Sequence, residues 1–67
     1  MKVKTIRYFE TSHGLGYEAK TAEGTIWNNG NGGATYFKPF SAEARDAFAH
    51  LTEHDLERLI YAFEEAN

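Results

Sequence analysis

The hydrophobic period of this chain changes once, at Pro39, and this change constrains the possible folds more than any other feature of the sequence. Before Pro39, apolar and polar residues alternate, most regularly over residues 15–21. That period of two is typical of a β-strand with one buried face. After Pro39, apolar residues recur at spacings of three and four, which is typical of an amphipathic helix. The pattern therefore predicts strands within residues 1–40 and helices within residues 41–67.

Turn residues divide the first part of the chain into four short strands. The sequences Ser-His-Gly and Ala-Glu-Gly predict two tight turns, and the Asn/Gly segment 28–33 predicts the third connection. Gly24 is expected to take the left-handed backbone conformation of a short hairpin. Because every connection is short, the strands should pair in order as an antiparallel meander. The phase of the first strand slips between Val3 and Ile6, so the pattern does not assign its buried face.

Two helices should follow the strands, because the sequence contains two separate helix-start signals. Ser41 is a suitable N-cap for the first helix, and Thr52 with Asp55 matches the capping-box pattern at the start of the second. Leu51 and Leu56 occupy the two positions of a hydrophobic staple across that start. We therefore expect a tight corner near Leu51-Thr52 between the two helices.

Each helix has an apolar stripe that must cover a partner, and the sheet is the only large surface available to both. The predicted fold class is α+β, with a four-strand antiparallel meander and two C-terminal helices packed on one of its faces. We expect one compact domain over residues 1–67. The stripe residues are Ala44, Ala47, Phe48, Leu51, Leu56, Leu59, Ile60 and Phe63, of which Phe48, Leu56, Ile60 and Phe63 are expected to be buried.

The composition excludes several kinds of site. The chain has no cysteine, so it has no disulfide, thiolate nucleophile or cysteine zinc site, which fits a reducing cytosol. Its opening residues 1–5 are charged and alternating, so a signal peptide is not expected. No segment approaches the length that spans a bilayer. These features predict a cytoplasmic protein with no membrane partner.

No catalytic or metal-binding motif stands out among the hydroxyl and imidazole side chains. Ser12 and His13 are sequence neighbours and cannot form a well-oriented nucleophile–base pair. His50 and His54 have the spacing of two metal ligands on a helix, but the predicted cap at Thr52 separates them. We therefore expect no enzymatic activity, no metal and no cofactor.

The charge of the chain is unevenly distributed. Residues 1–40 contain five basic residues against three acidic ones, a net charge of +2, whereas residues 41–67 contain two against seven, a net charge of −5. Glu64 and Glu65 lie at a helix C-terminus, which disfavours carboxylates, and Glu53 and Glu57 form a like-charge pair one turn apart. Either the negative surface has a binding role, or it is a solvated face that aids solubility.

The aromatic residues of the strands support an alternative function. Aromatic side chains on a sheet can stack the bases of a single strand beside basic residues. However, Tyr8 and Phe9 are adjacent, as are Tyr36 and Phe37, so one member of each pair should face the helices. A core with an amphipathic surface is the simpler interpretation. The sheet aromatics concerned are Tyr8, Phe9, Tyr17, Trp27, Tyr36 and Phe37.

In its small size, acidity and lack of cysteine and catalytic motifs, the chain resembles the phage-encoded anti-CRISPR proteins. The resemblance implies a monomeric, non-enzymatic inhibitor in the cytoplasm of a bacterial host. Such an inhibitor would present carboxylates in place of nucleic-acid phosphates to a basic groove on a defence complex, with no direct binding of nucleic acid. The partner-binding residues expected from this resemblance are Glu43, Asp46, Glu53, Glu57, Glu64 and Glu65.

Two alternatives remain open at the level of sequence. One is a single-stranded nucleic-acid-binding module that uses the sheet aromatics. The other is a protein–protein adaptor that uses the Asn/Gly connection, through Asn28, Asn29 and Asn31. That connection has the composition of a phosphate-binding loop, but it leads into a strand and not into a helix N-terminus, so phosphate binding there is not expected.

Overall fold

The computed structural model describes residues 1–30 and 33–66. It has four strands joined in sequence order into one antiparallel sheet, followed by two helices, and so confirms the predicted α+β fold. No helix in this described part is long and apolar enough to cross a membrane. The elements are β1 (Val3–Thr11), β2 (Gly14–Thr21), β3 (Gly24–Asn28), β4 (Thr35–Pro39), α1 (Ala42–Ala47) and α2 (Glu53–Ala66).

A β-bulge explains the phase slip in the first strand. Val3 pairs with Thr21, but Thr5 pairs with Lys20, so β1 contains one more residue than β2 between these pairs. The extra residue brings Val3 and Ile6 to the same face of the sheet, although a regular strand would place them on opposite faces. Val3 is consequently buried, and Ile6 packs against the core beside it.

The core lies between α2 and one face of the sheet, which we call the covered face. Ala19 of β2 and Ile26 of β3 are neighbours across the sheet and are fully buried at its centre. Leu56 and Ile60 of α2, one helical turn apart, complete this core together with Val3. Partly buried side chains surround it, namely Met1, Ile6, Tyr17, Phe37, Leu51, Leu59 and Phe63.

The start of α2 agrees with the sequence prediction. The backbone N–H of Thr52 donates to Asp55 Oδ2 at 2.9 Å, and the N–H of Asp55 donates to Thr52 Oγ1 at 3.1 Å. This reciprocal pair is the predicted capping box. Ser41 likewise caps α1, because its hydroxyl accepts from the N–H of Ala44 at 3.1 Å.

The first helix is shorter than the apolar spacing predicted. It ends at Ala47, with Phe48 as its C-cap, and the chain turns before Leu51. The predicted burial is confirmed for Leu56 and Ile60 but is wrong for Phe48 and Phe63, which are only half-buried. Phe48 lies outside α1 and meets Phe37 edge-on at 6.1 Å, and Phe63 lies in the last turn of α2. Both positions are at the margin of a core that a single long helix covers.

The turn between β2 and β3 differs from the prediction for Gly24. The φ angle of Gly24 is not positive. The Thr21 hydroxyl closes the turn by accepting from the N–H groups of Glu23 and Gly24. Glycine is required there for space. A Cβ atom on Gly24 would lie 2.4 Å from the carbonyl oxygen of Lys38 and 2.7 Å from the Phe37 ring.

The described part of the Asn/Gly connection is held by hydrogen bonds. Asn28 Oδ1 accepts from the N–H of Gly30 at 2.8 Å, and Asn28 Nδ2 donates to the carbonyl of Gly33 at 3.1 Å. Gly30 has a φ of +132°, and a Cβ atom there would lie 2.7 Å from Thr11 Oγ1. The connection therefore packs against the turn between β1 and β2, and Gly30 permits that close approach.

Candidate binding surfaces

Two of the six predicted partner-binding carboxylates fasten α2 to the sheet. Glu53 Oε1 accepts from the backbone N–H of Thr35 at 2.6 Å, at the start of β4. Glu64 Oε2 accepts from the hydroxyl of Tyr8 at 2.8 Å, on β1. These bonds give two acidic residues a structural role, and the contact with Tyr8 accounts for a carboxylate at the C-terminal end of the helix.

The other four predicted carboxylates are divided between the helices. Glu43 and Asp46 are exposed on α1, and Asp46 pairs with Arg45 at 3.3 Å. Glu65 is exposed near the end of α2, whereas Glu57 is half-buried. The structure therefore brings only two of the six predicted carboxylates, Glu57 and Glu64, together at one site.

Glu57 and Glu64 line a cleft between α2 and the paired strands β1 and β2. The cleft has a volume of about 230 Å³. On α2, Tyr61 lies one turn after Glu57, and Glu64 lies nearly one turn further, so all three share a side of the helix. Across from them, Tyr8 and Tyr17 are paired residues of β1 and β2. We call this site the tyrosine–glutamate cleft, lined by Tyr8, Leu15, Tyr17, Glu57, Ile60, Tyr61 and Glu64.

Large apolar side chains are unusually exposed in this cleft. Of five exposed large hydrophobic residues in the described chain, three line it: Tyr8 at 46%, Leu15 at 54% and Tyr61 at 61%. Single exposed apolar residues are normal on a protein surface, but a cluster of them marks an interaction site more often. The cluster lies where β2 extends beyond the core that α2 covers, since Leu15 has the same orientation as buried Ala19.

The cleft is electrostatically negative. The pKa of Tyr8 is raised, first by burial and then by the hydrogen bond to Glu64 and the charge of that carboxylate. Burial is also the main cause that raises the pKa of Tyr17, opposed by its hydrogen bond with Thr35 and supported by the charges of Glu57 and Glu64. No lysine or arginine is among the described residues that line the cleft. Its two carboxylates, Glu57 and Glu64, therefore favour a cation over an anion.

The other face of the sheet, which we call the open face, is not covered by a helix. It carries the residues that alternate with the core positions. One row across the strands runs from Arg7 through Glu18 and Trp27 to Tyr36. The rings of Trp27 and Tyr36 stack with centroids 4.8 Å apart. Since Tyr36 is on this face and Phe37 packs against the core, the prediction that the pair divides between the faces is confirmed.

The next row of the open face contains two lysines. Lys20 pairs with Thr25, and Thr25 pairs with Lys38, so Thr25 has a lysine beside it on each neighbouring strand. These residues line a shallow groove of about 350 Å³, beside Trp27. We call it the lysine–tryptophan groove, lined by Glu18, Lys20, Thr25, Trp27, Lys38, Pro39 and Phe40.

The remaining predicted residues do not form a site. Asn28 is used within its own connection, Asn29 is exposed with its carbonyl accepting from the Thr11 hydroxyl at 3.0 Å, and Asn31 lies outside the described residues. His50 lies in the turn after α1 and His54 in the first turn of α2. Within residues 1–30 and 33–66, no three His, Cys, Asp or Glu side chains are grouped as a metal site would require.

A depression of about 610 Å³ lies beside the corner between the helices. It is wide, and its carboxylate, Asp55, already serves the capping box. Hydrogen bonds from the backbone N–H and the hydroxyl of Thr52 lower the pKa of Asp55. The lowered pKa keeps this carboxylate ionised, so it is not suited to act as a general acid.

Sequence reasoning missed Tyr61 and Leu15 as residues of the cleft. Tyr61 lies between the stripe residues Ile60 and Phe63, and the helical spacing does not assign it to a surface. Leu15 alternates in phase with the buried residue Ala19, so its position in the pattern is that of a core residue. The spacing of Glu57, Tyr61 and Glu64 on one side of a helix was available as a signal. The position of Tyr8 against that side depends on contacts between residues far apart in the chain.

Comparison of the chain with protein-family models, with curated proteins and with solved structures finds no match.

Proposed function

We propose that this protein is a non-enzymatic binding protein, and that its tyrosine–glutamate cleft binds a basic segment of a protein partner. The proposal rests on one observation: three of the five exposed large hydrophobic side chains converge with two carboxylates in a single cleft. Aromatic residues are enriched at protein interfaces, and complementary charge directs the approach of a partner.

The chemistry of the cleft suits an arginine or lysine side chain of that partner. A guanidinium can stack on a tyrosine ring while it donates two hydrogen bonds to a carboxylate. Glu57 and Glu64 provide carboxylates, and Tyr61 provides the most exposed of the rings in the cleft. At about 230 Å³, the cleft is smaller than the roughly 300–1,000 Å³ of typical small-molecule sites. This volume favours one or two inserted side chains over a cofactor.

The inhibitor function expected from the anti-CRISPR resemblance is a narrower form of this proposal. In that form, the basic partner is the nucleic-acid-binding groove of a defence complex in a bacterial cytoplasm, and the protein acts as a monomer. The acidity of residues 41–67 and the exposure of Glu65 support it. In this form the carboxylates that replace phosphates are on α2, because Glu43 and Asp46 lie on α1 and do not line the cleft. Glu53 contributes to the fold through Thr35 and is the least suited of the predicted carboxylates to replace a phosphate.

The proposal can be tested by affinity capture from a bacterial lysate followed by mass spectrometry. The cleft variant combines Glu57→Lys with Tyr61→Ser. A matched control combines Glu43→Lys with Ala47→Ser, which have the same spacing and charge change on exposed positions of α1. Circular dichroism should first establish that both variants are folded.

We expect the wild type and the control to capture the same basic protein, and the cleft variant to lose it. Reversing one charge and removing one aromatic contact at an interface centre typically costs several kcal/mol. A partner that the cleft variant retains and the α1 control loses would place the binding surface on α1 and contradict the proposal.

A further inference from the structure

We propose that the lysine–tryptophan groove on the open face binds single-stranded nucleic acid, with a backbone phosphate between Lys20 and Lys38 and a base on the ring of Trp27. This site is separate from the tyrosine–glutamate cleft and has the opposite charge. The inference goes beyond the function proposed above and does not depend on it. It departs from the expectation, taken from the anti-CRISPR resemblance, that the protein does not bind nucleic acid directly.

The two lysines provide the phosphate-binding part of the groove. They are separated by two strand spacings, roughly 10 Å between backbones, so their long side chains can converge over Thr25. Lys38 has no carboxylate within ion-pair distance in the described chain. Lys20 is 3.9 Å from Glu18, and Arg7 is 3.8 Å from the same carboxylate. Exposed pairs of that length contribute little, so a phosphate can compete for the cations.

Trp27 provides the stacking part of the groove. Tyr36 stacks against one side of the indole and so restricts its rotation, which lowers the entropy that base binding would cost. Phe40, which is 61% exposed, lines the groove beside Pro39. Aromatic rings beside a positively charged groove are the elements with which proteins bind single strands without sequence preference.

The negative charge of the helices does not preclude binding to the open face. The helices contact the covered face, so the sheet lies between them and the open face. The open face itself carries Arg7, Lys20 and Lys38 against Glu18. An acidic peptide would satisfy the lysines but would not use the indole, so a nucleotide strand fits the groove better.

The test is a titration of a short fluorescent oligothymidine, monitored by anisotropy and by quenching of Trp27, the only tryptophan of the chain. The groove variant is Lys20→Gln with Lys38→Gln. The matched control is Lys2→Gln with Arg58→Gln, which removes the same charge from exposed positions outside the groove. Trp27→Leu tests the stacking contact separately.

We expect salt-sensitive binding with quenching, weakened at least tenfold in the groove variant and less than twofold in the control. Losing the one phosphate contact that both lysines share should reduce the slope of log K against log salt by about 0.7, measured between about 50 and 200 mM salt. Trp27→Leu should weaken binding at least roughly fivefold, the lower end for a base-stacking ring.

Three results would overturn the proposal. The first is the absence of binding at about 50 mM salt. The second is equal weakening in the groove variant and the control, which would indicate only general charge attraction. The third is equal affinity for thymidine monophosphate or for a poly-glutamate peptide, because neither would require a strand. If Trp27→Leu does not fold, the lysine variants still decide the outcome.

Discussion

The two faces of the sheet are built from the same four strands, yet they use their side chains in opposite ways. On the covered face, Ala19 and Ile26 are fully buried under Leu56 and Ile60. On the open face, their sequence neighbours Lys20 and Trp27 remain partly or largely accessible to solvent. Burial explains why Ala19 and Ile26 are apolar. It does not explain why an uncovered surface carries a stacked aromatic pair and two lysines.

The comparison also shows where the covered face stops being a core. Leu15, Tyr17 and Ala19 have the same orientation on β2, but exposure rises from none at Ala19 to 54% at Leu15. The tyrosine–glutamate cleft lies at this transition. The cleft is therefore the place where the strand pattern continues past the edge of α2, and the groove is on the face that no helix covers.

The largest expected effect tests the covered face against the open face at adjacent positions of β3. Ile26→Ala should lower the free energy of unfolding by about 2–5 kcal/mol, because it leaves a cavity in a fully buried site. Thr25→Ala, which points to the open face, should cost no more than about 1 kcal/mol, the range of β-propensity. Urea denaturation of both variants measures the difference. Equal losses would mean that the two faces are not distinguished by burial.

A smaller effect is expected from the carboxylates that fasten α2 to the sheet. Glu53→Ala should destabilise the protein by about 1–3 kcal/mol, because it leaves the N–H of Thr35 without its partner at a buried residue. Glu43→Ala, at an exposed position of α1, should change stability by less than about 0.5 kcal/mol. Thermal unfolding of the pair measures this. If both variants unfold alike, Glu53 belongs to the solvated surface.

The smallest expected effect concerns alkaline pH at the cleft. The pKa of Tyr8 is raised in the folded protein by burial, by the hydrogen bond to Glu64 and by its charge. A raised folded pKa stabilises the protein fully below the unfolded pKa of about 10, and this contribution is lost as the pH rises through the folded value. Stability should therefore fall above about pH 10, and less steeply in Tyr8→Phe. Identical alkaline profiles would show that Tyr8 titrates without coupling to the fold.

The helices and strands were predictable because their signals are local. The capping box at Thr52 and Asp55, the Ser41 cap and the end of β4 at Pro39 each depend on residues within four positions. The bulge in β1 was not predictable from periodicity, because it is defined only by the pairing with β2. The early end of α1 goes with the contact of its C-cap residue Phe48 with Phe37, which no local pattern shows.

The binding surfaces were less predictable because they combine distant parts of the chain. The bond from Tyr8 to Glu64 joins residues 56 positions apart, and that from Thr35 to Glu53 joins residues 18 positions apart. Charge alone placed six carboxylates in one predicted surface. The lateral position of α2 on the sheet determines which of these carboxylates contact aromatic side chains. No local sequence pattern indicates that position.

The opposite chemistry of the two surfaces can be tested by NMR with a ¹⁵N-labelled protein and two ligands, an arginine-rich peptide and a short oligothymidine. We predict that the peptide shifts the amide signals of Leu15, Glu57 and Tyr61, whereas the oligonucleotide shifts those of Lys20, Trp27 and Lys38. Peptide-induced shifts centred on Glu43 and Asp46, or shifts of one common set of residues by both ligands, would contradict the assignment of a cation-binding cleft and a separate open face.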